Sequence, residues 1–194
     1  MTTTITYTVD TRKKLLVDIG HSVKFPGANG VIPEISWNRK VASFLYPILD
    51  AKKWNVIKVP TDFLFDFTAN TQLIHRINWI NKHSTAYDQL LSLHANAANS
   101  PMPRGVETCY MGGYESARLD AIKLSQCYAK ATGVPLVSDG SFDDRTGRFG
   151  RIGMVRDTTP IALLIEMGFC TNKSDMAIDP KLAAQGIADY YNAL

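Results

Sequence analysis

Short unbroken apolar runs alternate along this chain with longer stretches whose apolar residues recur every three or four positions. The first run, residues 14–19 (KLLVDI), reads as a buried strand, and a loop rich in Gly, Pro and Asn follows over 20–33. Ser36 is a candidate cap for a helix that places Trp37, Val41, Phe44, Leu45, Ile48 and Leu49 on one face. Pro47 should kink or shorten that helix. Further strands are predicted at 55–59, 89–93, 105–111, 134–138 and 161–165. The helices between them are one capped by Asn70 with Leu73, Ile74, Ile77 and Ile80 on its apolar face, and one over 116–131 closed by Gly133. A last helix is opened by Asp179 and Pro180. Residues 139–151 read as a polar, Gly-containing loop. Strands alternating with helices predict an α/β fold. We expect one domain over residues 1–194, with a mostly parallel, twisted sheet of about six strands covered by helices on both faces.

Composition narrows the class. With 194 residues, 45% apolar and 20% charged, the chain can bury a core without disulfide or metal staples, and disorder, collagen and coiled coil are excluded. A net charge of +3 with no dense basic stripe argues against a nucleic-acid partner, although weak attraction to an anionic polymer is compatible with it. Cys109, Cys127 and Cys170 are widely spaced and form no CxxC pair, which reads as reduced cysteines in the cytosol. The opening MTTTITYTVDTRKK has no apolar core of a secretory signal, so synthesis in the cytoplasm is expected. The longest apolar run stops at Glu166, and no membrane-spanning segment is expected. A monomer is expected.

The chemistry gathers at strand ends. In open α/β sheets, ligands bind beyond the carboxyl ends of the strands. Three of the most apolar runs here close on a residue that can bind metal or move a proton: KLLVDIG on His21, QLLSL on His94 and IALLI on Glu166. A carboxylate directly after five apolar residues is expensive to bury without a partner or a task. Two imidazoles at one sheet edge suggest catalytic zinc, which commonly takes two His and one carboxylate and keeps a fourth position for water. The carboxylate ligand is open among Asp18, Glu34, Glu107 and Glu166. Asp18, inside the first strand, suits orienting an imidazole from behind. Glu34, at the end of the loop leaving His21, can swing back to the same ion, which frees Glu166 to act as general base. His75 and His83 read as surface residues of an amphipathic helix. Arg145, Arg148, Arg151 and Arg156, interleaved with Asp143, Asp144 and Asp157, read either as a solvated loop or, with Arg145 foremost, as a clamp for a substrate carboxylate.

These segments resemble a known family, the zinc-dependent N-acetylmuramoyl-L-alanine amidases of the amidase 3 type, found in bacterial cell-wall hydrolases and phage endolysins. LLVDIGH is similar to the family strand ending Asp-Pro-Gly-His-Gly, and PEISWN to its Glu-Lys-x-x-Asn. RINWIN followed by LLSLHANA resembles Arg-x-x-x-Ala-Asn followed by Ser-x-His-Ala-Asn, and GVETCYM resembles its Gly-x-Glu strand. PIALLIEMGFCTNKSD, the longest match, is similar to Pro-x-x-Leu-x-Glu-x-Gly-Phe-x-Ser-Asn-x-x-Asp. Ile19, Ser22 and Thr171 depart from the family's Pro, Gly and Ser. None of these departures removes a metal-binding side chain.

The resemblance implies that His21, Glu34 and His94 hold zinc and that Glu166 is the catalytic carboxylate. It implies a peptidoglycan substrate, cut at the amide between the lactyl group of N-acetylmuramic acid and L-alanine. Asn96, two residues past His94, is expected to donate a hydrogen bond to the substrate. Loops 22–33 and 139–151 are expected to flank the metal and to set selectivity. With no secretory signal, a phage endolysin released at host lysis is expected. Two other readings are a zinc peptidase acting within the stem peptide and a wall-binding module without catalysis. Retention of a buried Glu beside three ligands argues against the second.

Overall fold

The computed structural model describes residues 11–51, 53–63, 68–146 and 150–194. Six strands, β1 (Lys13–Ile19), β2 (Trp54–Lys58), β3 (Gln89–Asn96), β4 (Val106–Tyr110), β5 (Leu136–Asp143) and β6 (Ile161–Phe169), form one sheet in the order β2-β1-β3-β6-β4-β5. Every neighbouring pair is parallel except β4–β6, which is antiparallel. The expected α/β architecture is therefore present, with β4 and β5 running against the other four strands.

The apolar strands are two-sided, as a sheet covered on both faces demands. Leu15, Val17, Leu91, Leu93, Leu163 and Ile165 pack on α1 (Glu34–Leu45), α3 (Glu115–Thr132) and α6 (Pro180–Ala193). The alternate residues Leu16, Leu90, Ala162 and Leu164 pack on α2 (Ala69–His83) and the four-residue α4 (Gly153–Arg156). The second layer is the thinner of the two. Strand periodicity assigns Asp18, Ser92, His94 and Glu166 to its face, where helix cover is incomplete.

Helix ends depart from the expected ones in instructive ways. The first helix starts at Glu34 after Pro33, two residues before Ser36, so Glu34 belongs to a helix's first turn and not to a flexible loop. Pro47 does end it: α1 stops at Leu45 and a 3-10 turn, Tyr46–Ile48, follows. Thr68, not Asn70, caps α2, its hydroxyl accepting from Thr71 N. Gly133 closes α3 in the left-handed conformation, φ 74°, and Asp179 caps α6 ahead of Pro180, both as expected. Strands β3 and β6 run three and four residues further than predicted, because His94 and Glu166 continue the ladder as register partners. β5 likewise extends through Asp143, over the first part of the predicted loop 139–151.

The polar end of the longest family-like segment is structural. Asn172 caps α5 (Lys173–Met176) by accepting from Ser174 N and Asp175 N. Asp175 is wholly buried, and its Oδ2 accepts from Gly105 N at 2.8 Å and Phe169 N at 3.0 Å, tying the start of β4 to the end of β6. Asp175→Ala should strand both amides. At about 1–3 kcal/mol for each unsatisfied buried group, and about 2–4 °C per kcal/mol at this size, melting should fall by roughly 4–24 °C. Circular dichroism checks this, and a fall under about 2 °C would show that the carboxylate does not hold this junction.

Candidate metal centre and cleft

Each side chain of the site is delivered by a strand end or a helix start. The β1 strand ends at Ile19, Gly20 donates its N–H to Leu93 O at 2.9 Å, and the chain turns sharply at His21. His21 has φ 71°, a left-handed conformation that His tolerates better than most side chains. The turn brings its ring against that of His94 on β3, with centroids 4.9 Å apart and planes at 71°. Glu34 closes the triangle from the first turn of α1. Loop 20–33 is held down between them, with Val31 N donating to Cys170 O and Glu34 N to Ala28 O.

The three side chains converge on one point. His21 Nε2 and His94 Nδ1 each lie 3.0 Å from Glu34 Oε1, and one ligand atom from each residue lies within 4.8 Å of the others. The carboxylate is aimed by backbone: Ala28 N donates to Oε2 at 2.9 Å and Ala95 N to Oε1 at 3.2 Å. Burial pushes the Glu34 carboxyl up, but the contacts with His21 and His94 outweigh it and hold it well below the usual carboxylate range. Burial pushes His94 down, against the pull of Glu34. Both shifts favour an anionic carboxylate beside a neutral imidazole, the forms that bind a metal.

Two glycines shape the cradle. A Cβ on Gly27, whose φ is 79°, would stand 2.4 Å from Glu34 Oε2 and 2.7 Å from His21 Nε2. A Cβ on Gly20 would stand 2.4 Å from His94 Nε2. Backbone therefore approaches all three side chains where any larger residue would displace them. Two imidazole nitrogens and a carboxylate oxygen, held together in this way, fit zinc.

Glu166 projects from β6 as the register partner of His94 and is buried, yet it lines the same cleft, of about 1110 Å³. On its other side it faces Glu107 in the antiparallel β4–β6 ladder. Glu107 does not join the three converging residues. Its Oε1 accepts from Asn96 Nδ2 at 2.8 Å, while Asn96 Oδ1 accepts from Ala97 N at 2.9 Å. The Asn96 amide is thus held in one orientation on the cleft wall. Burial, reinforced by the charges of Glu34 and Glu166, pushes the nearby Cys170 thiol up to about 11, so it stays protonated behind the site. Asp18 is wholly buried and pairs with Arg76 and Ser92, not with an imidazole.

Of the two loops expected to flank the site, the first does so: residues 24–29 line the cleft. The second contributes mainly at its end. β5 runs against β6, so its carboxyl end, with Asp143 to Arg145, lies away from the strand ends that carry His21 and His94. Arg145 is accordingly outside the cleft. It is exposed, its Nη2 lies 2.6 Å from Asp143 Oδ2, and that contact holds Asp143 at about 2. Arg151 is the arginine of this segment that lines the cleft, paired with Asp157. Arg156 pairs with buried Asp144, and Arg148 lies outside the described residues. Sequence reasoning assigned no site role to Gln72, nor to Arg76, which opens the RINWIN segment; both are buried residues of α2 in the cleft wall. Their i, i+4 spacing on an otherwise apolar face was the available signal.

Comparison with known proteins places this architecture. The model of the N-acetylmuramoyl-L-alanine amidase family matches residues 15–191. The catalytic domain of CwlV, an amidase of that name from Bacillus (Paenibacillus) polymyxa var. colistinus, is 27% identical, with 93% of this chain and 97% of that chain covered and a TM-score of 0.73. The catalytic domain of an endolysin targeting Clostridia difficile is 26% identical over 93% of this chain and 95% of that chain, with a TM-score of 0.72. An N-acetylmuramoyl-L-alanine amidase from Clostridium difficile 630 shares the fold at 22% identity, covering 95% of this chain and 97% of that chain, with a TM-score of 0.77. No match was found among curated protein sequences.

Proposed function

Because this chain belongs to the N-acetylmuramoyl-L-alanine amidase family, we propose that it is a zinc-dependent hydrolase of peptidoglycan. The bond cut is the amide between the lactyl group of N-acetylmuramic acid and L-alanine of the stem peptide. The observation that carries this reading is the convergence of His21, Glu34 and His94 in one cleft with Glu166. The first three would hold the ion, and bound zinc supplies a Lewis acid that polarises a carbonyl and acidifies water. Glu166 takes the proton of the attacking water as oxygen bonds to the lactyl carbonyl carbon. It then delivers that proton to the alanine nitrogen as the carbon–nitrogen bond breaks, leaving a carboxylic acid and a free amine, which at neutral pH become a carboxylate and an ammonium as the acid's proton passes to the amine. On this reading Asn96, whose amide is held by Glu107 and Ala97, donates a hydrogen bond to the substrate.

We also propose that the protein acts as a phage endolysin, made in the cytoplasm and released at host lysis. Likeness to an endolysin catalytic domain at 26% identity supports this reading. Digestion of purified peptidoglycan, with mass spectrometry of the products, tests the reaction. The expected products are stem peptides with a new amino-terminal alanine and glycan strands with intact lactyl carboxylates. New amino termini only within the stem peptide would instead make the protein a peptidase.

A further inference from the structure

The cleft extends from the metal centre along α2 to α4, and its chemistry changes on the way. At the strand ends and loop 20–33 it presents the carboxylates Glu34 and Glu166 with Lys24; on α2 and just ahead of α4 it presents the cations Arg76 and Arg151. Gln72 and Arg76, one helical turn apart, are 4% and 3% exposed and both line this wall. Asp18 and Ser92 lie behind them, and Asp18 takes one edge of the guanidinium through Nη2. Among the described residues, Arg76 Nε, Gln72 Nε2 and Asp18 Oδ1 have no hydrogen-bond partner; of these three residues, Gln72 and Arg76 line the cleft and Asp18 does not. A buried donor without an acceptor is uncommon in native proteins and calls for a reason. Here two stand side by side on one wall of a cleft. The first turn of α2, with Ala69 and Asn70, lines the same wall, so the positive end of the helix faces the same region.

We propose that Gln72 and Arg76 form a binding site for a peptide carboxylate. On the amidase reading, on which this inference rests, the ligand is a free carboxylate of the stem peptide, so the site selects unamidated over amidated peptide. The guanidinium offers its donors in a fixed plane suited to a carboxylate. The Gln72 amide adds a neutral donor one turn away. Arg151, paired with Asp157, lines the same cleft. The arrangement does for the substrate what was expected of Arg145, but from a helix wall and not from a surface loop.

The test uses the zinc-loaded protein and two synthetic peptides that begin with L-alanine, identical except that the carboxylates are free in one and amidated in the other. Calorimetry should show the free peptide bound at least about tenfold more tightly, the ratio expected of a charge-assisted hydrogen bond. Gln72→Glu, which sets a negative charge against the ligand, should reduce that ratio below about threefold. Gln72→Leu, which keeps the size and removes the donor, should reduce it as well. A parent that binds the two peptides within about twofold overturns the proposal. So do Gln72 variants that keep the parent's ratio. The same peptides linked to N-acetylmuramic acid report cleavage separately. Selective binding without release of an alanine amino terminus would sink the amidase reading and leave the carboxylate site standing.

Discussion

Glu166→Gln is expected to leave the fold and the zinc content of the protein intact while lowering its rate on peptidoglycan by about 10²–10⁴-fold. The substitution keeps the volume of the side chain and its place in the β3–β6–β4 ladder, where residue 166 is the partner of both His94 and Glu107. It removes the one capacity the mechanism asks of Glu166, taking a proton from water and giving it to nitrogen. Turnover of a defined muropeptide, measured beside zinc content and thermal melting, checks the prediction. A variant within threefold of the parent, about 0.6 kcal/mol of barrier, would remove Glu166 from the proton path.

His94→Ala should abolish stoichiometric zinc, read by elemental analysis after exhaustive dialysis. Its Nδ1 is one of the two imidazole nitrogens directed at Glu34 Oε1, and removing it leaves a buried carboxylate with one imidazole partner. Gly27→Ala gives a sharper version of the test, since it leaves every ligand in place. The added methyl would stand 2.4 Å from Glu34 Oε2 on a backbone at φ 79°, so either the carboxylate or the loop must move. Loss of orienting contacts around metal ligands commonly weakens binding about 10–100-fold, and the same range is expected here. Parent-like zinc affinity in Gly27→Ala would show that the loop does not hold the ligands. Full zinc retention by His94→Ala would overturn the ligand assignment itself.

The candidate site was legible to an unusual depth because its residues interrupt apolar patterns. Glu166 stands directly after five apolar residues and His94 closes the largely apolar run QLLSL, and a polar group at the end of a buried strand needs a reason. Glu34 was harder. Read as a mobile loop residue, it is in fact the first residue of α1, oriented by Ala28 N and Ala95 N. Its role therefore depends on where α1 docks over the sheet, which local pattern does not encode. Arg145 shows the opposite failure. Its spacing among aspartates suits a substrate clamp and a surface ion pair equally well, and the direction of β5 decides for the ion pair.

The sequence by itself determined the strands, their two apolar faces, the interruption of α1 at Pro47 and the glycine cap of α3, because each follows from side-chain periodicity or from the backbone limits of one residue. It also marked His21, His94 and Glu166 as costly positions. Only the tertiary structure decided that β4 runs against β6, which sets Glu107 opposite Glu166 and carries Arg145 away from the cleft. Only it decided that Gln72 and Arg76 stand in the cleft wall while Asp18 braces the guanidinium from the sheet. Strand direction and helix docking are set by contacts between residues tens of positions apart, so no local window contains them. A site assembled from β1, α1, α2, β3 and β6 exists only once those contacts have formed.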